Sequence, residues 1–156
     1  MGAVAERLGP KAYLDANFFI YALEATEPWV KAAREILAAL DEGELTAVTS
    51  ELSLAECLVK PLELGKTEIA EAYFALLKDR RSLAVPPVTR EILVEAARLR
   101  ARSRIKLPDA IHAATALQKG CSSFLTNDDR LRIEGVEVVR WQELERLLPS
   151  KVILEP

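Results

Sequence analysis

The sequence predicts an α/β protein with a central, mostly parallel sheet and helices on both faces. Short apolar runs, over residues 12–14, 45–49 and 123–126, alternate with segments of helical periodicity. Strands that are separated by helices are typical of parallel sheets with right-handed crossovers. Because binding sites in such sheets lie beyond the carboxyl ends of the strands, the residues that follow each strand are the first candidates for function.

Helix-end signals define the predicted elements of the first half of the chain. Pro28 suits the first turn of a helix that closes at Gly43, Ser50 is a suitable N-cap, and Pro61 is expected to stop the helix that Ser50 begins. The predicted order is a strand over 12–14, helices over 17–23 and 28–40, a strand over 45–49, and helices over about 51–59 and 67–78.

The second half repeats this alternation. Ile92, Ala96 and Leu99 lie on one side of a strong amphipathic helix, and Pro108 opens another helix whose small residues suit close packing against a sheet. The predicted order is a weak strand over 83–85, a helix over 89–103, a helix from 108 to Gly120, and strands over 123–126 and 136–139.

Length and composition are those of one globular domain. The chain has 156 residues, of which 50% are apolar, so it can bury an ordinary core. We expect a single domain over residues 1–156, with an N-terminal extension over 1–11 and a C-terminal tail over 149–156. Cys57 and Cys121 form no CxxC or Cys/His spacing, and no apolar run approaches the roughly 18 residues of a membrane span, so we expect a cytoplasmic protein without membrane contact.

Three aspartates fall at the same predicted edge of the sheet. Asp15 follows the first strand inside an otherwise apolar run, Asp128 follows the strand over 123–126, and Asp109 begins a helix. A buried carboxylate needs a partner, and a bound cation is one such partner. The alternatives are structural, because Asp15 also suits a helix N-cap, Asp109 complements a helix dipole, and Asp128 suits a turn.

Glu56 is a fourth candidate. It lies on the helix after the second strand, where three-and-four spacing places it on one face with Leu52, Ala55 and Val59. We therefore expect its side chain to point inward among apolar neighbours. A solvated helix acid is the alternative, with Glu51 as the nearest competitor, although the helix dipole alone explains an acid in the first turn.

The candidate ligands are all oxygen atoms, which predicts Mg²⁺ or Mn²⁺ rather than zinc. Clustered carboxylates repel one another, which should raise some of their pKa values until a divalent cation compensates. We therefore also expect the metal to stabilise the fold.

The net charge of −3 does not favour a simple polyanion binder, so any nucleic-acid contact needs a local basic patch. One candidate precedes Asp109 and consists of Arg98, Arg100, Arg102, Arg104 and Lys106. A solvated helix face is the alternative.

The single histidine, His112, lies one helical turn after Asp109, and we interpret it as a packing or surface residue. The two asparagines, Asn17 and Asn127, each neighbour a candidate acid, although turn chemistry also explains them. No GxGxxG, GxxxxGK[ST] or HExxH motif is present, so dinucleotide binding, P-loop chemistry and zincin proteolysis lack support.

The order and spacing of four short motifs resemble the PIN-domain ribonucleases, and within that family the VapC-type toxins of toxin-antitoxin pairs. The motifs are Leu14-Asp15-Ala16-Asn17, Ser50 with Ala55-Glu56, the run from Leu107-Pro108-Asp109 to Thr115-Ala116, and Leu125-Thr126-Asn127-Asp128. The extension over residues 1–11 is a departure, since toxins of this type commonly begin almost at the first strand.

This resemblance implies a Rossmann-like PIN fold and an endoribonuclease that uses Mg²⁺ or Mn²⁺ to hydrolyse RNA phosphodiester bonds. It also implies a homodimer and a cognate antitoxin. The residues that it implies are an acidic quartet, Asp15, Glu56, Asp109 and Asp128, with Asn17 and Thr126 as accompanying polar residues.

Two other functions compete with a nuclease. A non-catalytic module could keep the fold and bind RNA or a protein partner. A phosphatase with an aspartyl nucleophile is less consistent with the sequence. Such enzymes require an acid two residues after the nucleophile, and two residues after Asp15 this chain has Asn17.

Overall fold

A computed structural model describes residues 2–149, and a five-stranded sheet forms its centre. The strands are β1 (Lys11–Leu14), β2 (Thr46–Val48), β3 (Leu83–Ala84), β4 (Ser123–Thr126) and β5 (Glu137–Arg140). Their order is β3-β2-β1-β4-β5, and every neighbouring pair is parallel. The predicted parallel α/β architecture is therefore confirmed.

Helices cover both faces of this sheet. In the described part of the chain they are α1 (Ala3–Leu8), α2 (Ala16–Leu23), α3 (Val30–Asp41), α4 (Glu51–Glu63), α5 (Thr67–Leu76), α6 (Arg90–Ser103), α7 (Leu107–Gln118) and α8 (Trp141–Arg146). No helix within residues 2–149 is long and apolar enough to cross a membrane.

Alternation along β1 separates the two layers of the core. Leu14 packs with Phe18 and Phe19 of α2 on one face of the sheet. Tyr13 points to the opposite face, where it packs with α7 and stacks on Phe124 at a ring-centroid distance of 5.0 Å. Because successive side chains on a strand point to opposite faces, adjacent residues of β1 serve different layers.

The strand order places a switch point beside β1. The chain adds β2 and β3 on one side of β1 and then returns to add β4 and β5 on the other. In parallel sheets, a crevice opens outside the carboxyl ends of the strands at such a point. Asp15 follows β1 directly, so this topology places its carboxylate at the crevice.

Three details differ from the elements that the sequence predicts. Helix α4 continues through Pro61 to Glu63 instead of stopping before the proline, and the short helices α1 and α8 were not expected. Pro61 lies near the end of α4 and is buried, so packing contributes stability at the position where a proline removes a helix hydrogen bond. Helices of six residues, such as α1 and α8, have too few turns for a clear periodicity.

The N-terminal extension is part of the packed structure. Leu8 at the end of α1 is fully buried, and its carbonyl accepts a hydrogen bond from the Ser123 hydroxyl at 2.5 Å. The Arg7 guanidinium donates to the carboxylates of Glu143 at 2.8 Å and Glu137 at 2.9 Å. These contacts join α1 to β4, β5 and α8. Of the predicted C-terminal tail, residues 150–156 lie outside the described residues.

Replacing Leu8 by alanine should lower the free energy of unfolding by about 2–4 kcal/mol, because it removes a fully buried side chain and leaves a cavity. Urea denaturation followed by circular dichroism measures the change. Leu62→Ala is the control, since that leucine is 63% exposed and its loss should change stability by less than about 0.5 kcal/mol. Equal effects of the two substitutions would show that the extension is a separable appendage.

Candidate functional site

The structure places all four predicted acids at the carboxyl edge of the sheet. Asp15 follows β1 and begins α2, and Asp128 lies two residues beyond β4. Asp109 is in the first turn of α7, whose N-terminus points to the same edge because α7 leads into the parallel strand β4. Glu56 lies in the second turn of α4, the helix that follows β2.

Asp15 is the N-cap of α2 and also the most perturbed carboxylate at this edge. Its Oδ1 accepts a hydrogen bond from the Asn17 backbone N–H at 3.0 Å. Burial raises the pKa of Asp15 from 3.8 to about 6, the His112 imidazole and the Asn17 N–H oppose this rise, and the charges of Glu56 and Asp109 add to it. The N-cap alternative is thus confirmed, and it leaves Oδ2 of the carboxylate for another partner.

Burial and neighbouring charges also act on Asp109. Its pKa is raised chiefly by burial, the His112 imidazole lowers it, and the charges of Asp128 and Glu56 raise it further. The positive charge of Lys106 acts in the opposite direction. The pKa shifts of Asp15 and Asp109 together show that each of the four acids is close enough to another for their charges to interact.

The loop after β4 holds Asp128 in a defined turn. The Asp128 backbone N–H donates to Thr126 Oγ1 at 3.0 Å, and Asp128 Oδ1 accepts from the Arg130 backbone N–H at 2.9 Å. The Asn127 side-chain amide donates to the Tyr21 hydroxyl and so ties the loop to α2. Asn127 and Thr126 therefore position the turn that carries Asp128, whereas Asn17 contributes its backbone N–H to Asp15.

The predicted inward apolar face of α4 was wrong. Ala55 and Val59 are exposed, the Glu56 side chain is 37% exposed, and the buried residues of the helix are Ser53, Cys57 and Pro61. The fully buried positions of α4 are small or compact residues, and one of them approaches α2, where the Cys57 thiol lies 3.7 Å from the Ala16 carbonyl oxygen. The larger Leu54 and Leu58 pack against the core only at its edge. Large apolar side chains were therefore a misleading guide to the orientation of Glu56.

His112 lies within the site, a position that the sequence did not predict. It is 3% exposed, its Nε2 lies 2.6 Å from Glu56 Oε1, and its Nδ1 lies 2.6 Å from the Tyr13 hydroxyl oxygen. The burial of His112 confirms the prediction of a packing residue and shows that the alternative, a surface residue, is wrong. One signal was present in the sequence, because residues three apart on a helix share a face and His112 follows Asp109 at that spacing.

The structure brings only part of the predicted basic cluster to the acids. Lys106 is close enough to lower the pKa of Asp109. Arg98 pairs with Glu95 of its own helix, and Arg100 donates to the Ile105 carbonyl at 2.6 Å. Arg104 ends α6 in the left-handed conformation, with φ 58°, and it is exposed, as is Arg102.

The donor set at this edge fits Mg²⁺ or Mn²⁺ in an open site. Within residues 2–149, no group of three or more His, Cys, Asp or Glu side chains is arranged so that it could hold a metal ion by itself. Mg²⁺ does not need such a group, because it keeps several water ligands and is usually held by one or two carboxylates together with substrate phosphates. Mutually repelling carboxylate oxygens are suitable ligands for such an ion.

The fold and the site place this protein among the parallel α/β proteins that carry an acidic site at the switch point of the sheet. The sequence comparison identifies the family within that class: residues 12–134 match the PIN domain. The chain belongs to the PIN domain family, which confirms the resemblance in its motifs. No curated protein sequence matches the chain significantly.

Solved structures with the same fold include proteins of toxin-antitoxin systems. VapBC2 from Rickettsia felis, bound to a DNA fragment of its promoter, has 19% identity and a TM-score of 0.65, over 84% of this chain and 98% of that one. VapC20 from Mycobacterium tuberculosis, described as a toxin that cleaves the sarcin-ricin loop, has 18% identity and a TM-score of 0.63, over 76% and 91%. A toxin-antitoxin complex from Klebsiella pneumoniae has 22% identity and a TM-score of 0.60, over 83% and 95%. These similarities show the fold.

Asp15→Asn should stabilise the metal-free protein at neutral pH. Asparagine keeps the N-cap but removes the Asp15 carboxyl group, whose pKa is about 6 in the folded protein and near 3.8 in the unfolded chain. The protonated carboxyl favours the folded state below pH 3.8, and this contribution is lost as the pH rises through about 6. The variant should therefore gain up to about 3 kcal/mol at pH 7.5 and little below pH 4.

Urea denaturation in EDTA at both pH values measures this difference. Glu134→Gln, on an exposed loop residue, is the control and should show no comparable gain. A destabilised Asp15→Asn variant at pH 7.5 would contradict the idea that burial, together with the nearby charges of Glu56 and Asp109, makes the ionised Asp15 carboxylate unfavourable in the folded protein.

Proposed function

We propose that this protein is an endoribonuclease that depends on Mg²⁺ or Mn²⁺ and acts as the toxin of a toxin-antitoxin pair. The observation that carries the proposal is the electrostatic coupling of Asp15, Glu56, Asp109 and Asp128 at the switch point of a PIN domain. Grouping carboxylates at one partly buried edge is unfavourable for folding, and a bound cation would offset this cost, which supports a cation site.

Asp15, Glu56, Asp109 and Asp128 are the proposed metal ligands, one or two of them binding the ion directly and the others through its water molecules, with Asp15 Oδ2 as the oxygen that the helix cap does not use. When bound, the ion supplies two effects: it lowers the pKa of a bound water molecule, and it offsets the charge that develops on the phosphate in the transition state. Thr126 and Asn127 keep the Asp128 turn in place, and Asn17 fixes the orientation of the Asp15 carboxylate through its backbone N–H.

RNA, an antitoxin and a second copy of the chain are the proposed partners. The structures with the same fold include VapBC2 and other toxin-antitoxin complexes, which supports an antitoxin partner. Lys106 lies beside Asp109, so Arg100, Arg102, Arg104 and Lys106 are the proposed contacts to RNA phosphates near the site. The homodimer and the cytoplasmic location stay predictions from the sequence.

A non-catalytic module for RNA or a protein partner is the second candidate. Its supporting observation is that, among the described residues, no group of three or more His, Cys, Asp or Glu side chains could hold a metal ion by itself. The two functions differ in metal binding and turnover. Calorimetric titration with millimolar Mg²⁺ that shows no binding, together with tight RNA binding, would favour the module over the nuclease.

Purified protein should cut RNA in the presence of Mg²⁺ or Mn²⁺, and Asp15→Asn or Asp109→Asn should reduce the rate at least about 100-fold, because each removes a charge that binds the ion. Gel analysis of labelled RNA measures the cleavage, and circular dichroism checks the fold. Asp128→Asn and Asp129→Asn form a matched pair. Only the first should lose activity, because the Asp129 side chain is 81% exposed and pairs with Arg140. Full activity of both Asp15→Asn and Asp109→Asn would refute the nuclease.

Charge reversal at Arg102 and Arg104 should weaken RNA binding and reduce its dependence on salt. Each lost phosphate contact should lower the slope of log K against log salt by about 0.7 for single-stranded RNA. Fluorescence anisotropy at several salt concentrations measures the slope. Arg34→Glu on α3 is the control and should leave the slope unchanged. An unchanged slope in the double variant would show that these arginines are only a solvated face.

A further inference from the structure

We propose that His112 is a positioning residue that holds the Glu56 carboxylate toward the acidic edge, and that Tyr13 selects the imidazole tautomer needed for this task. The inference rests on the proposed function in one respect, since it takes Glu56 as a metal ligand. The three side chains form a continuous hydrogen-bonded chain from the core of the protein to the candidate site.

The chain of contacts has short distances at both ends. The Tyr13 hydroxyl oxygen lies 2.6 Å from His112 Nδ1, and His112 Nε2 lies 2.6 Å from Glu56 Oε1. Tyr13 is fully buried on β1, and His112 is 3% exposed on α7. The rings of Tyr13 and His112 also meet edge to face, with centroids 5.6 Å apart. The imidazole is therefore held by packing against the Tyr13 ring and by a hydrogen bond at each of its two nitrogens.

The positions of the protons follow from the partners. An ionised Glu56 carboxylate accepts hydrogen bonds and cannot donate them, so the proton between the two groups is on His112 Nε2. In the neutral imidazole, Nδ1 is then an acceptor and the buried Tyr13 hydroxyl donates to it. In the imidazolium, the form whose charge lowers the pKa of Asp15 and Asp109, both ring nitrogens donate, and Nε2–H faces Glu56 as well. In the neutral form, the phenol thus stabilises the tautomer in which Nε2–H faces Glu56.

Glu56 needs such a restraint more than Asp15 and Asp128 do. Its side chain is 37% exposed, and ordering a glutamate side chain in one conformation loses much of its conformational entropy. Asp15 and Asp128 are fixed by backbone N–H groups of their own turns. The contact that fixes Glu56 comes from His112 on another helix. Side chains that bind metals are commonly oriented by hydrogen bonds to such partners, which do not themselves touch the metal.

A core histidine with satisfied hydrogen bonds would show the same burial, so the test must separate positioning from packing. The variants are His112→Leu, which removes both hydrogen bonds; His112→Gln, whose amide places a donor near the original Nε2; and Tyr13→Phe, which removes only the hydroxyl. Binding of Mn²⁺ to RNA-free protein, measured by electron paramagnetic resonance, is the main readout.

Positioning predicts that His112→Leu binds Mn²⁺ about 10–100-fold more weakly than the wild type, and that His112→Gln recovers most of this loss. Tyr13→Phe should fold and bind with intermediate affinity. Because loss of stability from packing gives no reason for rescue by glutamine, equal Mn²⁺ affinity of folded His112→Gln and His112→Leu variants would overturn the proposal. Wild-type affinity in Tyr13→Phe would overturn the role of the phenol.

A second measurement requires no metal. Long-range ¹H–¹⁵N correlation spectra of the imidazole should show the Nε2–H tautomer in the wild type and a mixture in Tyr13→Phe. A wild-type Nδ1–H tautomer would overturn the proposal even if the protein binds Mn²⁺ and cuts RNA. If the wild type has the Nε2–H tautomer but neither binds Mn²⁺ nor cuts RNA, the proposed function fails, and with it the assignment of Glu56 as a ligand that His112 positions.

Discussion

The parallel pairing of β1 with β2 on one side and β4 on the other is the constraint on which the candidate site depends. It places the end of β1 at the centre of the sheet edge, where Asp15 begins α2. The same strand sends Tyr13 into the layer beneath α7 and Leu14 into the layer of α2. One short strand thus supplies a carboxylate for the site, a hydrogen-bonding phenol behind it, and core packing on both faces.

Local hydrogen bonds and a helix N-terminus oppose, without cancelling, the cost of burying charged aspartates at this edge. The Asp15 carboxylate accepts a backbone N–H at the start of α2, and Asp128 accepts one in the turn after β4. Asp109 lies in the first turn of α7, where the helix dipole favours an acid. The structural alternatives for these aspartates are therefore compatible with metal binding, because a cap or turn bond to one oxygen leaves the other oxygen for a ligand.

Glu56 has a different kind of support. It belongs to the second turn of a helix, beyond the backbone N–H groups that stabilise an acid at a helix start. Its partner is His112, which also lowers the pKa of Asp15 and Asp109 and so lies among three of the four acids. A buried imidazole between a phenol and a carboxylate connects the core to an exposed carboxylate of the site.

The sequence by itself determined the alternation of elements, the parallel class of the sheet, and the three aspartates at its edge. These follow from local signals, since apolar periodicity, the Ser50 cap and residues directly after strands depend on near neighbours. Only the tertiary structure decided the strand order, the docking of α1, the face of α4 and the contact between Glu56 and His112. The reason is distance along the chain: Glu56 and His112 are 56 residues apart and Tyr13 and His112 are 99 apart, so no short-range pattern specifies which of them meet.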